Sequence, residues 1–282
     1  MSVPLQNVTH ACFGLSYLLA FALELVRLRW PLRSVRGAGL LLGAAGLLAH
    51  SAFLAFNHPT PATPYGALLA VAWVLAVFYL YGTLHHTRYA WAVFVLPVVL
   101  GLVGLSFLLI SSSTTAPGLD VPYWFIGDRF WGAVHGLLLL LAAVGVSVGF
   151  LASVMYLVQA RRLRAKLNPL GGIKMLSLER LESMNRRAVN LAFPMLTGGL
   201  LLGAVLLRQY HDFAENWFSV KVLGTVGRWL VFLVLLYCRY ATHVSGRRLA
   251  LLTLVAFMLM VLVLAAVHPF VPGEPLSGEG AR

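Results

Sequence analysis

Two histidines stand at the ends of long apolar runs. His135 opens the run 135–158, and His268 closes the run 249–267. A neutral imidazole is a good iron ligand, and a heme iron takes axial ligands of this kind. Two such groups on one face of a bilayer could supply both. A third histidine, His50, lies inside an apolar run, six residues before Phe56. That is about 9 Å deep at the rise of an α-helix. An ionisable group inside a membrane is a functional candidate by default. The competing reading for His135 and His268 is interfacial histidines bonded to water or headgroups. For His50 it is a neutral side chain bonded to a neighbouring helix. His58 and His211 are secondary candidates and His10 is weaker. His85, His86 and His243 fall on the opposite side and read as solvated.

Such a pairing requires a membrane, and the composition supplies one. Of 282 residues, 60% are hydrophobic and 11% are charged, with a mean hydropathy of +0.85. A soluble domain carries about 25% charge. The apolar runs predict an all-α polytopic membrane bundle with about eight transmembrane helices, near 9–28, 37–56, 65–84, 90–111, 132–158, 189–207, 222–242 and 249–268. Residues 1–282 then form a single integral membrane domain.

The 21 Lys and Arg residues fall mainly in alternate loops. Arg27, Arg29, Arg33 and Arg36 hold the first. Arg88 holds the second. Arg161, Arg162, Arg164, Lys166, Lys174, Arg180, Arg186 and Arg187 hold the third, and Arg239, Arg247 and Arg248 the fourth. Asp120, Asp128, Asp212, Glu215, Glu274 and Glu279 lie on the other side. The positive-inside rule places the basic loops in the cytoplasm and both termini outside. The expected setting is a bacterial inner (cytoplasmic) membrane. The net charge of +12 therefore reports topology, and no nucleic-acid partner is expected.

The connecting segments add detail. The outer loop 57–64 carries Pro59, Pro61 and Pro64 and should be stiff. The outer loop 112–131 ends in Tyr123, Trp124, Phe125, Phe130 and Trp131, which read as an interfacial aromatic belt or as a flat surface covering a porphyrin. Residues 159–188 form the cytoplasmic basic loop. Within it Leu178, Leu181 and Met184 predict a short amphipathic helix capped by Ser177. That helix would lie on anionic headgroups or dock a cytosolic protein. Residues 270–282 read as a disordered outer tail. Met1 to Gln6 lack the basic start of a cleavable signal, so the first span reads as retained. Cys12 and Cys238 fall near opposite faces, which argues against a disulfide. Glu24 should pair with Arg27 or Arg29. Arg208, Lys221 and Arg228 gather around one outer loop, where guanidinium groups could bind carboxylates or anchor helix ends. No P-loop, dinucleotide fingerprint or nucleophile elbow is present.

Several stretches together resemble the cytochrome c assembly family, heme-handling proteins of the CcsA, CcmC and HemX type. They run from His135-Gly136-Leu137 to Met155-Tyr156-Leu157, and from Leu178-Glu179-Arg180-Leu181 to Asn185-Arg186-Arg187. Phe193-Pro194-Met195-Leu196-Thr197-Gly198-Gly199, Leu202-Gly203-Ala204, and Trp229-Leu230-Val231 with Arg239 continue the likeness. It extends over roughly residues 37–268. The resemblance implies that His135 and His268 are the outer axial ligands of heme b. It also implies that Trp217 and Phe218 pack on the porphyrin, and that Arg208 or Arg228 meets a propionate. His50 is a further candidate iron ligand.

The chain departs from the family pattern in two places. The W-x-W-D pattern of the outer loop is absent from residues 208–221, which keep Trp217, with Phe218 and Ser219 where its second Trp and its Asp would stand. Tyr237 replaces a later His. These departures move the chain toward the HemX-like branch. Two functions follow from the likeness. One is a heme-binding protein that receives or presents heme at the outer face. The other is a HemX-like membrane regulator or adapter for a cytosolic tetrapyrrole-biosynthesis enzyme. The expected partners are heme, the lipid bilayer, and either another cytochrome c assembly subunit or that cytosolic enzyme. A secondary transporter would want broken helices in repeated halves. A four-His diheme cytochrome b would want spans with two histidines each. Neither pattern is seen.

Overall fold

The computed structural model describes residues 10–30, 32–59, 63–85, 90–109, 128–165, 175–209, 220–240 and 245–265. Eight helices account for nearly all of them: α1 His10–Arg29, α2 Arg33–Asn57, α3 Pro64–His85, α4 Trp91–Leu108, α5 Asp128–Arg164, α6 Leu178–Gln209, α7 Val220–Tyr240 and α8 Gly246–Ala265. Seven are long and apolar enough to cross a membrane. In α7 the apolar stretch is shorter, Leu223–Cys238. The all-helical bundle is the one the apolar runs predict, and each helix falls on a predicted span. Backbone groups in hydrocarbon must bond within their own segment, which leaves the helix as the form for such runs.

The main departure lies between spans five and six. The amphipathic stretch at Leu178, Leu181 and Met184 is not a separate helix on the surface. It is the start of α6, which runs on through the span without a break. The Ser177 hydroxyl accepts from the Arg180 amide at 3.3 Å, so the predicted cap is present. Leu181 is fully buried, and that anchors this first turn to the bundle. Likewise α5 continues to Arg164. At 1.5 Å per residue, helices of 37 and 32 residues reach about 55 and 48 Å, well past the ~30 Å of a hydrocarbon core.

Successive helices run antiparallel and gather into two groups. In the first, α1 packs on α2 and α4, and α3 on α2 and α4. In the second, α5 packs on α6 and α8, and α7 on α6 and α8. Contacts of α3 with α5 and α8, and of α4 with α5, join the groups. The seams are lined by glycines at helical spacing. Gly39, Gly43 and Gly46 on α2 are buried. A Cβ on Gly43 would stand 2.5 Å from the Tyr79 hydroxyl, and one on Gly46 2.9 Å from the Tyr17 ring. On α5, a Cβ at Gly145 would stand 2.9 Å from that of Ala192. Association in lipid gains little from apolar burial itself, so close approach through small residues carries the packing.

Each group also holds buried polar contacts. In the second group the Asn185 amide donates to Ser153 Oγ at 2.8 Å, Thr253 Oγ1 at 3.1 Å and the Gly149 carbonyl at 3.1 Å. These bonds tie α6 to α5 and α8. In the first group Glu24, 1% exposed, pairs with Arg27 at 2.7 Å, as the sequence predicts.

Candidate functional site

His135 sits two turns into α5, at the predicted outer end of the second group. Its Nδ1 lies 2.7 Å from the Gly199 carbonyl on α6. A carbonyl only accepts, so Nδ1 carries the proton and donates. In a neutral imidazole the lone pair is then on Nε2. A backbone carbonyl behind the ring is the arrangement that orients metal-binding histidines and fixes their tautomer.

The ring is seated by what α6 lacks. A Cβ on Gly203 would stand 2.7 Å from His135 Cε1 and 3.1 Å from Nδ1. One turn earlier, a Cβ on Gly199 would stand 2.7 Å from Leu139 Cδ2. The pair Gly199 and Gly203, four residues apart, thus forms a cradle for the first inward turns of α5. The spacing is legible in the sequence as a small-xxx-small motif. Its role as a seat for a particular histidine is not, because that depends on which helix packs there.

On the neighbouring helix α7, Trp229 Nε1 donates to Thr197 Oγ1 at 2.9 Å, and its ring stacks on Phe193 at 5.8 Å. Thr197 is two residues from Gly199, about 3 Å along the axis. Trp229 and His135 therefore approach α6 at the same level. Arg228, beside Trp229, is 2% exposed. Its Nε and Nη1 have no hydrogen-bond partner. Phe232 and Leu235, fully buried, continue the same stripe of α7.

His135 and Arg228 thus belong to one end of one helix group. Arg208 lies in the last turn of α6, at that same end. Trp217, Phe218 and His268 lie outside the described residues, as do Lys221's side chain, His58's neighbours at 60–62, and the tail 270–282. His268 follows three residues after the end of α8.

His50 is elsewhere. It is fully buried on α2 in the first group, which packs on α1 and α3. Its ring stacks on Phe13 with centroids 4.3 Å apart and planes 3° apart. Tyr17 Oη lies 3.5 Å from Nδ1, and Nε2 has no partner. His10, weakest of the candidates by sequence, is in the same aromatic cluster. It is hydrogen-bonded to Tyr65, and its ring lies 4.5 Å from Phe53. Among the described residues no group of three or more His, Cys, Asp or Glu side chains is placed to hold a metal ion. A heme differs from a bare ion here, since it brings four nitrogens and needs axial ligands only.

Residues 62–269 match the family model for cytochrome c assembly proteins. The cytochrome c biogenesis protein CcsA of Gloeobacter violaceus is 24% identical over 92% of this chain and 90% of its own length. That of Parasynechococcus marenigrum is 24% identical over 92% of each. That of Porphyra purpurea is 31% identical over a shorter stretch, 29% of this chain and 26% of its own. No solved structure matches. The model match begins just before α3 and ends just past α8, so α1 and α2, with His50, stand outside it.

Proposed function

The chain belongs to the cytochrome c assembly protein family, and from that premise we propose that it handles heme b at the predicted outer end of its second helix group. His135 and His268 are the axial ligands, Trp217 and Phe218 cover the porphyrin, and Arg208 or Arg228 meets a propionate. Heme is cargo, received from or presented to another assembly subunit. The observation that carries this reading is the Nδ1 bond from His135 to the Gly199 carbonyl, with Gly203 keeping space for the ring. That bond leaves Nε2 basic and the ring held, as an iron ligand requires. The residues present fit the group: an oriented imidazole and, at the same end, a buried guanidinium with two nitrogens that make no hydrogen bond. When bound, the iron would take the imidazole nitrogen. The protein supplies position, an apolar wall and a cation for the acid edge.

A maturation assay tests the reading. Replacing Trp217 by Ala in the otherwise intact chain should abolish the accumulation of c-type cytochromes. Normal levels in cells lacking the protein altogether would remove the assembly role.

A second reading draws on a different observation. The helices α5 and α6 outrun the bilayer, and their projecting turns carry Arg161, Arg162, Arg164, Arg180, Arg186 and Arg187. A HemX-like adapter would use that basic hairpin to hold a cytosolic tetrapyrrole-biosynthesis enzyme. Reversing Arg161, Arg162 and Arg164 to Glu should then release the enzyme from membranes.

A further inference from the structure

We infer that the open groove between α5 and α6 seats an anionic phospholipid of the surrounding bilayer, with its phosphate on Arg180 and Arg187 and an acyl chain over Gly145; this stands apart from the heme reading above.

The groove has a volume of about 540 Å³. The two helices touch through small residues: a Cβ on Gly145 would stand 2.9 Å from that of Ala192 and 3.2 Å from the Ala188 carbonyl. Gly145 and Ala188 therefore form its floor. Val144 and Val148 on α5 and Leu191 on α6 are apolar walls. Leu191 is exposed, as is Leu141 on the facing wall, so this side of the seam looks outward from the bundle. Arg180, Ser183 and Arg187 line one end. They share a stripe of α6 with Leu191, at steps of three or four residues. From Arg180 to Leu191 the stripe covers about 16 Å of axis. It starts at the predicted cytoplasmic end, where α6 begins. A headgroup layer is about 5–7 Å thick on each side of the hydrocarbon, so the groove runs from that layer into the apolar region.

The chain itself supplies no anion for the cationic end. Of the nine acids, Glu24, Glu179 and Glu182 are those at this end of the helices. Glu24 pairs with Arg27 on α1. Glu182 lines a separate cleft with Tyr156 and Gly246. Glu179 lies off the groove stripe. Among the described residues neither Arg180 nor Arg187 is in an ion pair. The connecting residues 165–177 add Lys166 and Lys174 and no acid, and the connections 30–32, 86–90 and 241–245 carry no acid either. The anion therefore comes from outside the chain. Guanidinium groups bind phosphate bidentately, and the Ser183 hydroxyl can donate a further bond. A small soluble anion would occupy the polar end alone. A phospholipid matches the whole groove, with its charge at the headgroup level and its hydrocarbon in the trough. Basic pockets between helices on this face of a membrane take anionic headgroups in that way.

The test uses the purified full-length protein in neutral-detergent micelles holding equal amounts of dioleoyl phosphatidylglycerol and dioleoyl phosphatidylcholine. Native mass spectrometry counts the lipid retained. Wild type should retain phosphatidylglycerol at least about tenfold over phosphatidylcholine, the ratio expected of one charge-assisted hydrogen bond. Arg180→Gln combined with Arg187→Gln should remove the preference. Arg161→Gln combined with Arg164→Gln takes the same charge from the same hairpin outside the groove, and should keep it. Val144→Trp fills the trough and leaves both arginines, and should lower retention of phosphatidylglycerol. Excess glycerol 3-phosphate should not displace the lipid. Equal retention of the two lipids by wild type overturns the inference. A preference that falls equally in both arginine pairs also overturns it, since the general field of the hairpin would then be the cause. Full retention in Val144→Trp or displacement by glycerol 3-phosphate does the same, as does a lipid-free dimer in which a second copy covers the groove.

Discussion

The two helix groups use the same residue types to opposite ends. In α1–α4, glycines on α2 make room for the side chains of Tyr17 and Tyr79, and His50 stacks face to face on Phe13. Its ring is enclosed and closely packed. In α5–α8, Gly203 on α6 makes room for one imidazole near the end of the bundle, and a backbone carbonyl sets which of its nitrogens carries the proton. The first arrangement buries a histidine as an aromatic. The second aims one. A histidine in an apolar span is therefore not a ligand candidate by depth alone; what lies behind the ring and in front of it decides.

Paired glycine substitutions should separate the two uses most sharply. Gly203→Leu drives side-chain atoms into the space that His135 occupies, and should abolish heme binding as read by the Soret band. Gly43→Leu meets Tyr79 instead. It should lower thermal stability by about 1–3 kcal/mol, the usual cost of overpacking, while leaving the spectrum intact. If Gly43→Leu removed the Soret band and Gly203→Leu did not, the comparison would be reversed.

A smaller effect is expected at the polar knot of the second group. Asn185→Leu removes three side-chain hydrogen bonds that join α5, α6 and α8. The amide has two hydrogens to share among the three acceptors, and at about 0.6 kcal/mol for each within a membrane bundle the loss is about 1 kcal/mol. Unfolding in mixed micelles measures it. Heme affinity should change little, because the knot lies toward the opposite end of α6 from Gly199.

The smallest change should come from His50→Phe. The substitution keeps the stack on Phe13 and removes a buried Nε2 that has no partner, but it also takes Nδ1 from the buried Tyr17 hydroxyl. The two effects oppose each other, so stability should shift by less than about 1 kcal/mol, with no change in the spectrum. A lost Soret band in this variant would make the first group part of the heme site.

Much of this was legible in the sequence, for identifiable reasons. Span positions follow from long apolar runs, which admit one backbone form in lipid. The Ser177 cap and the Glu24–Arg27 pair follow from local spacing. Residues 178–184 predict a surface helix because their charged face resembles one; the burial of Leu181 against the bundle, a tertiary fact, makes them the start of α6. The Gly199–Gly203 spacing is visible in the chain, but its partner is set by how α5 docks. The tie made by Asn185 is not legible, because an Asn beside Arg186 and Arg187 reads as part of a solvated stretch. Only the fold brings Ser153 and Thr253 to it. His10 and His50, 40 residues apart, both pack on Phe13 for the same reason: α1 and α2 lie side by side.

The central claim is that an imidazole aimed by Gly199 serves as an iron ligand, and an absorption spectrum of the purified protein tests it directly. Wild type should show a Soret band that His50→Ala leaves in place and that His135→Ala combined with His268→Ala removes. A band that persists in the double variant, or a wild type with no band after heme is supplied, would contradict the account.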